Sequence, residues 1–363
     1  MRKIRIIITV VVFLFVFTIG STGLTNAIAP GSVAVRAPLF HDCYNDGGNA
    51  SSGRVLILIQ GLGTDSTPQN RGSAWAKFKP LVEEFYSRIV YFSYQDNSRD
   101  YQASDTRYSI QAHHVPLLYS LIASCRLLGF QSFDIIGHSQ GGVVASEYIK
   151  LYGINHSQAG LVKHVVTLDS PLNGAFILNV LNFTPAELIA QIFVPDELNI
   201  LYQLWKYDDF HGPSAIEMAG MYRAREVVRS SNKVMANTLW KRGIVFRSYT
   251  NCQDFVIVEA DAVIPDAGYC FGLGRDVLAG HFKIMDLQAN PEVANKVRAD
   301  LQGIPSFVAL NVTASSQTQI DLSWQSGTSN LSDFHIERSP NGSTNWTEIP
   351  SVGICHNLNS RQA

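Results

Sequence analysis

An excess of charge of either sign is missing from this chain. Lys and Arg number 28 against 30 Asp and Glu, a formal net charge of -2. No basic cluster stands out beyond the N-terminus, which argues against a nucleic-acid partner held by electrostatics. Charged residues are scarce at 16% of 363, whereas 46% are hydrophobic, so a sizeable core can be built, and the length suits one α/β domain plus something smaller. Cysteine is sparse too. Cys43, Cys125, Cys252, Cys270 and Cys355 stand at spacings that match no zinc motif. Such usage suits an oxidising compartment without fixing a pairing. A bridge between Cys252 and Cys270 would restrain the loop they bracket, while isolated buried thiols are an equally ordinary state.

Residues 2–5 carry three basic side chains, and Ile6 to Gly20 follows as an apolar run, with small residues around Thr25-Asn26-Ala27-Ile28-Ala29. This layout predicts a secretory signal over residues 1–29. Because no charge appears between Ile6 and Val35, an uncleaved anchor is the alternative. Either way the folded part is expected outside the cytoplasm, secreted or extracytoplasmic.

Short runs rich in β-branched and aromatic residues predict strands at Val55–Gln60, Arg88–Tyr94, Phe133–Ile136, Val162–Leu168 and Ile244–Thr250. Their near-continuous apolarity suits parallel strands buried on both faces. Helical periodicity over Ala74–Tyr86, over Ser109–Leu128 and after Ser139 supplies crossovers, so the fold class is α/β, with one domain over residues 30–303. From Ala175 to about Trp240 consecutive apolar helices predict an inserted cap; completion of the core is the alternative. Thr184-Pro-Ala-Glu187 and Ser214-Ala-Ile-Glu217 both have the form of a capping box.

Beyond Leu301 the texture changes to short alternating strands at Ser306–Ser315, Gln319–Trp324 and Phe334–Arg338, separated by polar turns. With Leu322 and Trp324 on one strand and Phe334 and Ile336 on the next, residues 304–363 resemble the front half of a fibronectin type III module. A complete sandwich needs about seven strands, so a truncated, poorly packed segment without chemistry is expected.

The chemistry is carried by Gly137-His138-Ser139-Gln140-Gly141-Gly142. The apolar Phe133–Ile136 leads into it and a helical pattern leads out. A G-x-S-x-G turn between strand and helix exposes a serine hydroxyl at a strained backbone position. The bare pentapeptide is a weak signal; the context lifts it. A serine becomes a useful nucleophile only when an imidazole takes its proton, and the imidazole needs an acid to fix its tautomer. For this type of turn the chain order is Ser, acid, His. Of the histidines beyond the last predicted strand, His335 and His356 lie in the β appendage, leaving His281 in Ala279-Gly-His281. Asp254, after Ile244–Thr250, is the favoured acid, with Asp261 as rival and Asp169 as third candidate. Asp169 lies in Thr167-Leu-Asp-Ser-Pro171, which reads as the turn opening an acyl pocket. An oxyanion hole needs two N–H donors: the backbone of Gln140 is one, and Leu62, in Gln60-Gly-Leu-Gly-Thr64, is the expected second.

With these segments assembled, residues 54–301 resemble the α/β-hydrolase superfamily, and within it the secreted bacterial lipases and esterases. The segments Gly137–Gly142, Thr167–Pro171, Tyr249–Asp254 and Ala279–His281 carry the likeness. Gln60 departs from it, since many lipases have His before the oxyanion glycine. The resemblance implies hydrolysis of lipid-like acyl esters through Ser139, His281 and Asp254, with no metal or organic cofactor. The expected partners are a lipid or ester substrate and a lipid interface met by the cap. A thioesterase, acyltransferase or glycolipid deacylase with the same triad is the nearest alternative; an inactive surface-binding protein is the more distant one.

Overall fold

A computed structural model describes residues 41–154, 156, 158–184, 208–254, 256–264, 267–273, 279–286 and 288–302, and short strands within 307–362. The expected signal, residues 185–207 of the expected cap, Phe334 and Cys355 lie outside the described residues.

Six strands form the main sheet: β1 (Arg54–Ile59), β2 (Arg88–Tyr91), β3 (Ser132–His138), β4 (Val162–Leu168), β5 (Val245–Asn251) and β6 (Gly268–Phe271). All pairs are parallel, in the order β2-β1-β3-β4-β5-β6. The period-two geometry of a strand divides β1 between two cores. Val55, Ile57 and Ile59 face one side, and Leu56 and Leu58 the other. Each such fully buried aliphatic side chain contributes about 2 kcal/mol of hydrophobic stabilisation, which is why both faces must be covered.

The first face is covered by α1 (Val115–Leu127), α2 (Gln140–Tyr148) and neighbouring elements, with Leu117, Leu121, Val144 and Tyr148 buried. Farther along come α3 (Phe176–Phe183), α4 (Pro213–Arg223) and α5 (Arg225–Lys241). α3 and α4 pack on each other, while α5 packs on β5 with Met235 and Leu239 in the core. The second face is covered by Trp75, Phe78, Val82 and Tyr86 and by the helix Pro291–Gln302, with Val293, Val297 and Leu301 inward. This sheet order, with the strand-to-helix turn after β3, is the α/β-hydrolase fold.

Several local expectations give way to tertiary structure. The segment expected to be one helix over 74–86 is three tight turns, Ser73–Trp75, Lys79–Leu81 and Glu83–Phe85. Pro80 lies inside it, and a proline in a helix interior removes a hydrogen bond and clashes with the preceding turn. The buried aromatic stripe survives; the α-helix does not. β6 does not stand out in the sequence because its four residues, three half-buried and Phe271 buried, carry little apolar pattern at a sheet edge. The Ser214–Glu217 capping box is not formed. Gly212 caps α4 without a side-chain bond, Ser214 Oγ donates to Thr106 O at 3.0 Å, and the Glu217 carboxylate accepts the Ile110 N–H at 2.7 Å and the Ser109 hydroxyl. Glu217 thus caps the segment that enters α1 and ties it to α4.

Beyond the domain, β7 (Phe307–Ala314), β8 (Ile320–Ser326) and β11 (Ser360–Gln362) form one antiparallel sheet, and β9 (Ile336–Arg338) and β10 (Thr347–Ile349) another.

Candidate active site

The chain runs outward from β1 to β2 and then returns to place β3 on the other side of β1. Such a reversal leaves a crevice beyond the strands' carboxyl ends, and the loops after β1 and β3 meet there. Ser139 stands at the tip of β3 with φ 54° and ψ -127°, a conformation that costs free energy for any residue with a side chain. The surroundings hold it: its N–H donates to Leu168 O at 2.9 Å and its carbonyl accepts from Gly142 N at 3.1 Å. The turn is also pressed against β1. A methyl on Gly141 would stand 2.3 Å from the Ile59 carbonyl oxygen, so this position has no room for a side chain.

Gly61 brings the loop after β1 equally close, since a methyl there would stand 2.8 Å from Ser139 Cβ. In this loop the Gly63 N–H is committed to Thr106 Oγ1 at 2.9 Å, and Thr64 Oγ1 donates to Gly61 O at 2.7 Å. Leu62, next to Gly61, lines the same cleft as Ser139. Gln140 is the first residue of α2, where backbone N–H groups have no intrahelical acceptor. Its side chain is buried and donates to Thr106 O at 2.8 Å.

His281 lies in the short helix Ala279–Lys283, is buried, and lines the cleft with Ser139. Its Nδ1–H donates to Asp254 Oδ2 at 2.7 Å, which leaves Nε2 as the acceptor. Asp254 Oδ1 accepts the Val256 N–H at 2.8 Å, so the acid is anchored by its own loop. That loop is joined to the sheet edge by the Cys252–Cys270 disulfide. Burial pulls the His281 pKa down, yet the hydrogen bond and charge of Asp254, with Asp169 behind it, outweigh this and hold it above the ordinary 6.5.

Asp261 directs its carboxylate elsewhere: Oδ2 accepts the Phe176 N–H at 2.9 Å, at the start of α3. Burial pushes its pKa up to about 6. Asp169 is nearer the imidazole. Asp169, Asp254 and His281 each present an atom within 4.8 Å of the others, and all three are buried. The other such grouping among the described residues, Cys252, Glu259 and Cys270, has its two thiols joined as a disulfide, so it offers no thiolate to a metal.

No pattern in the sequence marks His138, inside the elbow, as a partner of the histidine segment. Its Nε2–H donates to His281 O at 3.0 Å, with the rings 4.7 Å apart. Burial, and then the neighbouring His281, lowers its pKa to about 3, so it remains a neutral donor. The cleft itself is apolar, about 560 Å³ including open solvent at its mouth, with Leu62, Pro171, Ile177, Leu178, Phe210 and Met218 among its walls. Pro171 belongs to the Thr167–Pro171 turn, and α3 and α4 supply much of the rest.

The second disulfide joins Cys43 to Cys125. Two disulfides fit an extracytoplasmic setting. No described helix is long and apolar enough to cross a membrane.

Comparison with known proteins gives one family match: the family described as palmitoyl protein thioesterase matches residues 55–231. No curated protein matches the sequence. Similar solved structures include a Bacillus licheniformis lipase in mature form, 13% identical over 72% of this chain and 96% of that one, TM-score 0.42. A lipase-esterase related protein from Clostridium acetobutylicum is 13% identical over 69% and 96%, TM-score 0.40. A meta-cleavage product hydrolase from Pseudomonas fluorescens is 17% identical over 70% and 90%, TM-score 0.40. Sheet order and elbow together are those of the α/β-hydrolase fold.

Proposed function

We propose that the protein is a secreted acyl hydrolase that cleaves carboxylic esters bearing a lipid-like acyl chain. The observation that carries this reading is the strained Ser139, opening with His281 onto one apolar cleft. Ser139 Oγ attacks the acyl carbonyl carbon while His281 Nε2 takes its proton, and Asp254 holds the imidazolium that forms. The N–H groups of Gln140 and Leu62 receive the developing oxyanion. His281 then protonates the departing alcohol, and a water molecule releases the acid by the same steps in reverse order. The residues carry the whole cycle without a metal or cofactor.

The segment 175–240 acts as a cap, its described helices α3 and α4 roofing the acyl cleft and α5 returning the chain to β5. Phe183, Ile216 and Phe282, each close to half exposed, give this face apolar groups for contact with a lipid interface. The strands after residue 304 are a partial fibronectin type III-like appendage without a part in the chemistry.

A second reading has its own support. The family match over residues 55–231 favours thioesters, whose carbonyl is attacked by the same machinery with a thiolate as leaving group. A series of p-nitrophenyl esters of rising chain length, run beside acyl thioesters of matched length, separates the two. The ester reading expects kcat/KM to rise with chain length and a fluorophosphonate to label Ser139. Turnover confined to thioesters would replace it with the second reading, and an unlabelled, inactive protein would remove both.

A further inference from the structure

Asp169 is a buried acid to which the reaction above gives no task. It follows β4 directly, with a left-handed φ of 42°, uncommon for a residue other than glycine. Its backbone N–H donates to Tyr249 O at 2.8 Å, which locks the turn onto β5. The carboxylate is held from one side only: Oδ1 accepts Thr250 Oγ1–H and the Asn251 N–H, both at 2.6 Å. Oδ2 is buried with no hydrogen-bond partner among the described residues. An ionised oxygen left unpaired in the interior is costly, and the carboxylate stands in a cluster that contains a second one and the His281 imidazole.

We propose that Asp169 is a second acid for His281, a positioning residue that holds the imidazole when Asp254 is removed. The proposal rests on His281 being the base of the reaction above. No covalent bond forms or breaks at Asp169; on ionisation its proton passes to solvent. The groups facing Asp169 are Thr250 and Asn251 from β5, Asp254 from the loop after it and His281 from the Ala279–Lys283 helix. His138, its ring 4.7 Å from that of His281, stays neutral. Two carboxylates this close in a buried site resist joint ionisation. Burial first, and the Asp254 charge second, push Asp169 up to about 7, with His281, Thr250 and Asn251 opposing. Removing Asp254 takes away one of the charges that keep Asp169 protonated, so Asp169 ionises more readily beside His281.

The test compares Asp254→Asn, Asp169→Asn and the double variant, with Ser139→Ala as the zero of activity. It records kcat/KM against pH, and the titration of His281 through its low-field Nδ1–H resonance. Thermal unfolding checks that each variant is folded, and Asp169→Ser replaces Asp169→Asn if the latter is not. Asp254→Asn is expected to keep about tenfold or more of the double variant's rate. In Asp169→Asn the acidic limb and the His281 titration are expected to move to lower pH, because a charge that raises His281 has gone. An Asp254→Asn variant no faster than the double variant, or a His281 titration unmoved in Asp169→Asn, would overturn the proposal. If Ser139→Ala stays active, the serine reading fails by itself, and the His281 resonance still reports on Asp169.

Discussion

The two ends of β3 and β4 each bury an acid beside a histidine, with opposite outcomes. At the entry end Asp134 is surrounded by compensation. It pairs with Arg54, accepts Tyr86 OH at 2.8 Å, and accepts the His164 ring and backbone N–H at 2.6 and 3.1 Å. Burial alone would raise its pKa, but His164 and Arg54 outweigh that and hold it below the ordinary carboxylate range. At the exit end Asp169 is just as buried, meets no arginine or lysine among the described residues, and faces a second carboxylate. The first cluster has every oxygen satisfied and acts as a clamp; the second keeps an oxygen with no partner among the described residues, next to His281. Depth is the same at both ends, so the partners, and not the burial, separate the two acids.

That contrast breaks most visibly at the exit end. Replacing Ser139 with Ala should lower kcat by a factor on the order of 10⁶ while circular dichroism and urea unfolding stay near those of the parent. Asp134→Ala should do the reverse. It removes the carboxylate shared by Tyr86, His164 and Arg54, the last keeping only its bond to Leu301 O, and should cost about 2–3 kcal/mol of stability, measured by urea unfolding, with turnover per folded molecule unchanged. Loss of activity without loss of stability in Asp134→Ala would erase the distinction between the two ends.

Linkage sharpens the comparison. Asp169, at about 7 when folded, lies above its ordinary 3.8, so its contribution to stability is full below the ordinary value and is lost as pH rises through 7. Asp169→Asn should therefore flatten the fall in stability between about pH 4 and pH 7, followed by thermal unfolding across that window. Asp134 has the opposite sign: its depressed pKa gives stability above the ordinary value that is lost as pH falls. The smallest effect is expected at Glu217. Glu217→Ala removes the carboxylate that caps Ile110 and should cost about 1 kcal/mol, seen as a slightly lower urea midpoint with an unchanged acid limb.

Much of the site was legible because its signals are local or follow chain order. The apolar run of β3 and the glycines after it specify the elbow, and the order Ser, acid, His leads to His281 and to Asp254, whose side chains meet at 2.7 Å. What escaped is set by neighbours distant in sequence. The charge state of Asp169 depends on Thr250, Asn251 and Asp254. Glu217 fits a local capping rule but serves the segment entering α1, because a buried N–H there offers a better partner. Pro80 was in plain view, yet the aromatic spacing around it suggested a helix that the proline forbids. The short, half-buried β6 was hidden for the opposite reason: it carries too little pattern to stand out.

Gly61 gives the molecule an unusual control point. The room a methyl group would need there is already taken by Ser139 Cβ, 2.8 Å away. Adding one carbon to a neighbouring loop would therefore jam Ser139 from outside its own turn. A variant made in this way would keep Ser139, His281 and both acids in place, so that binding in the apolar cleft could be measured apart from turnover.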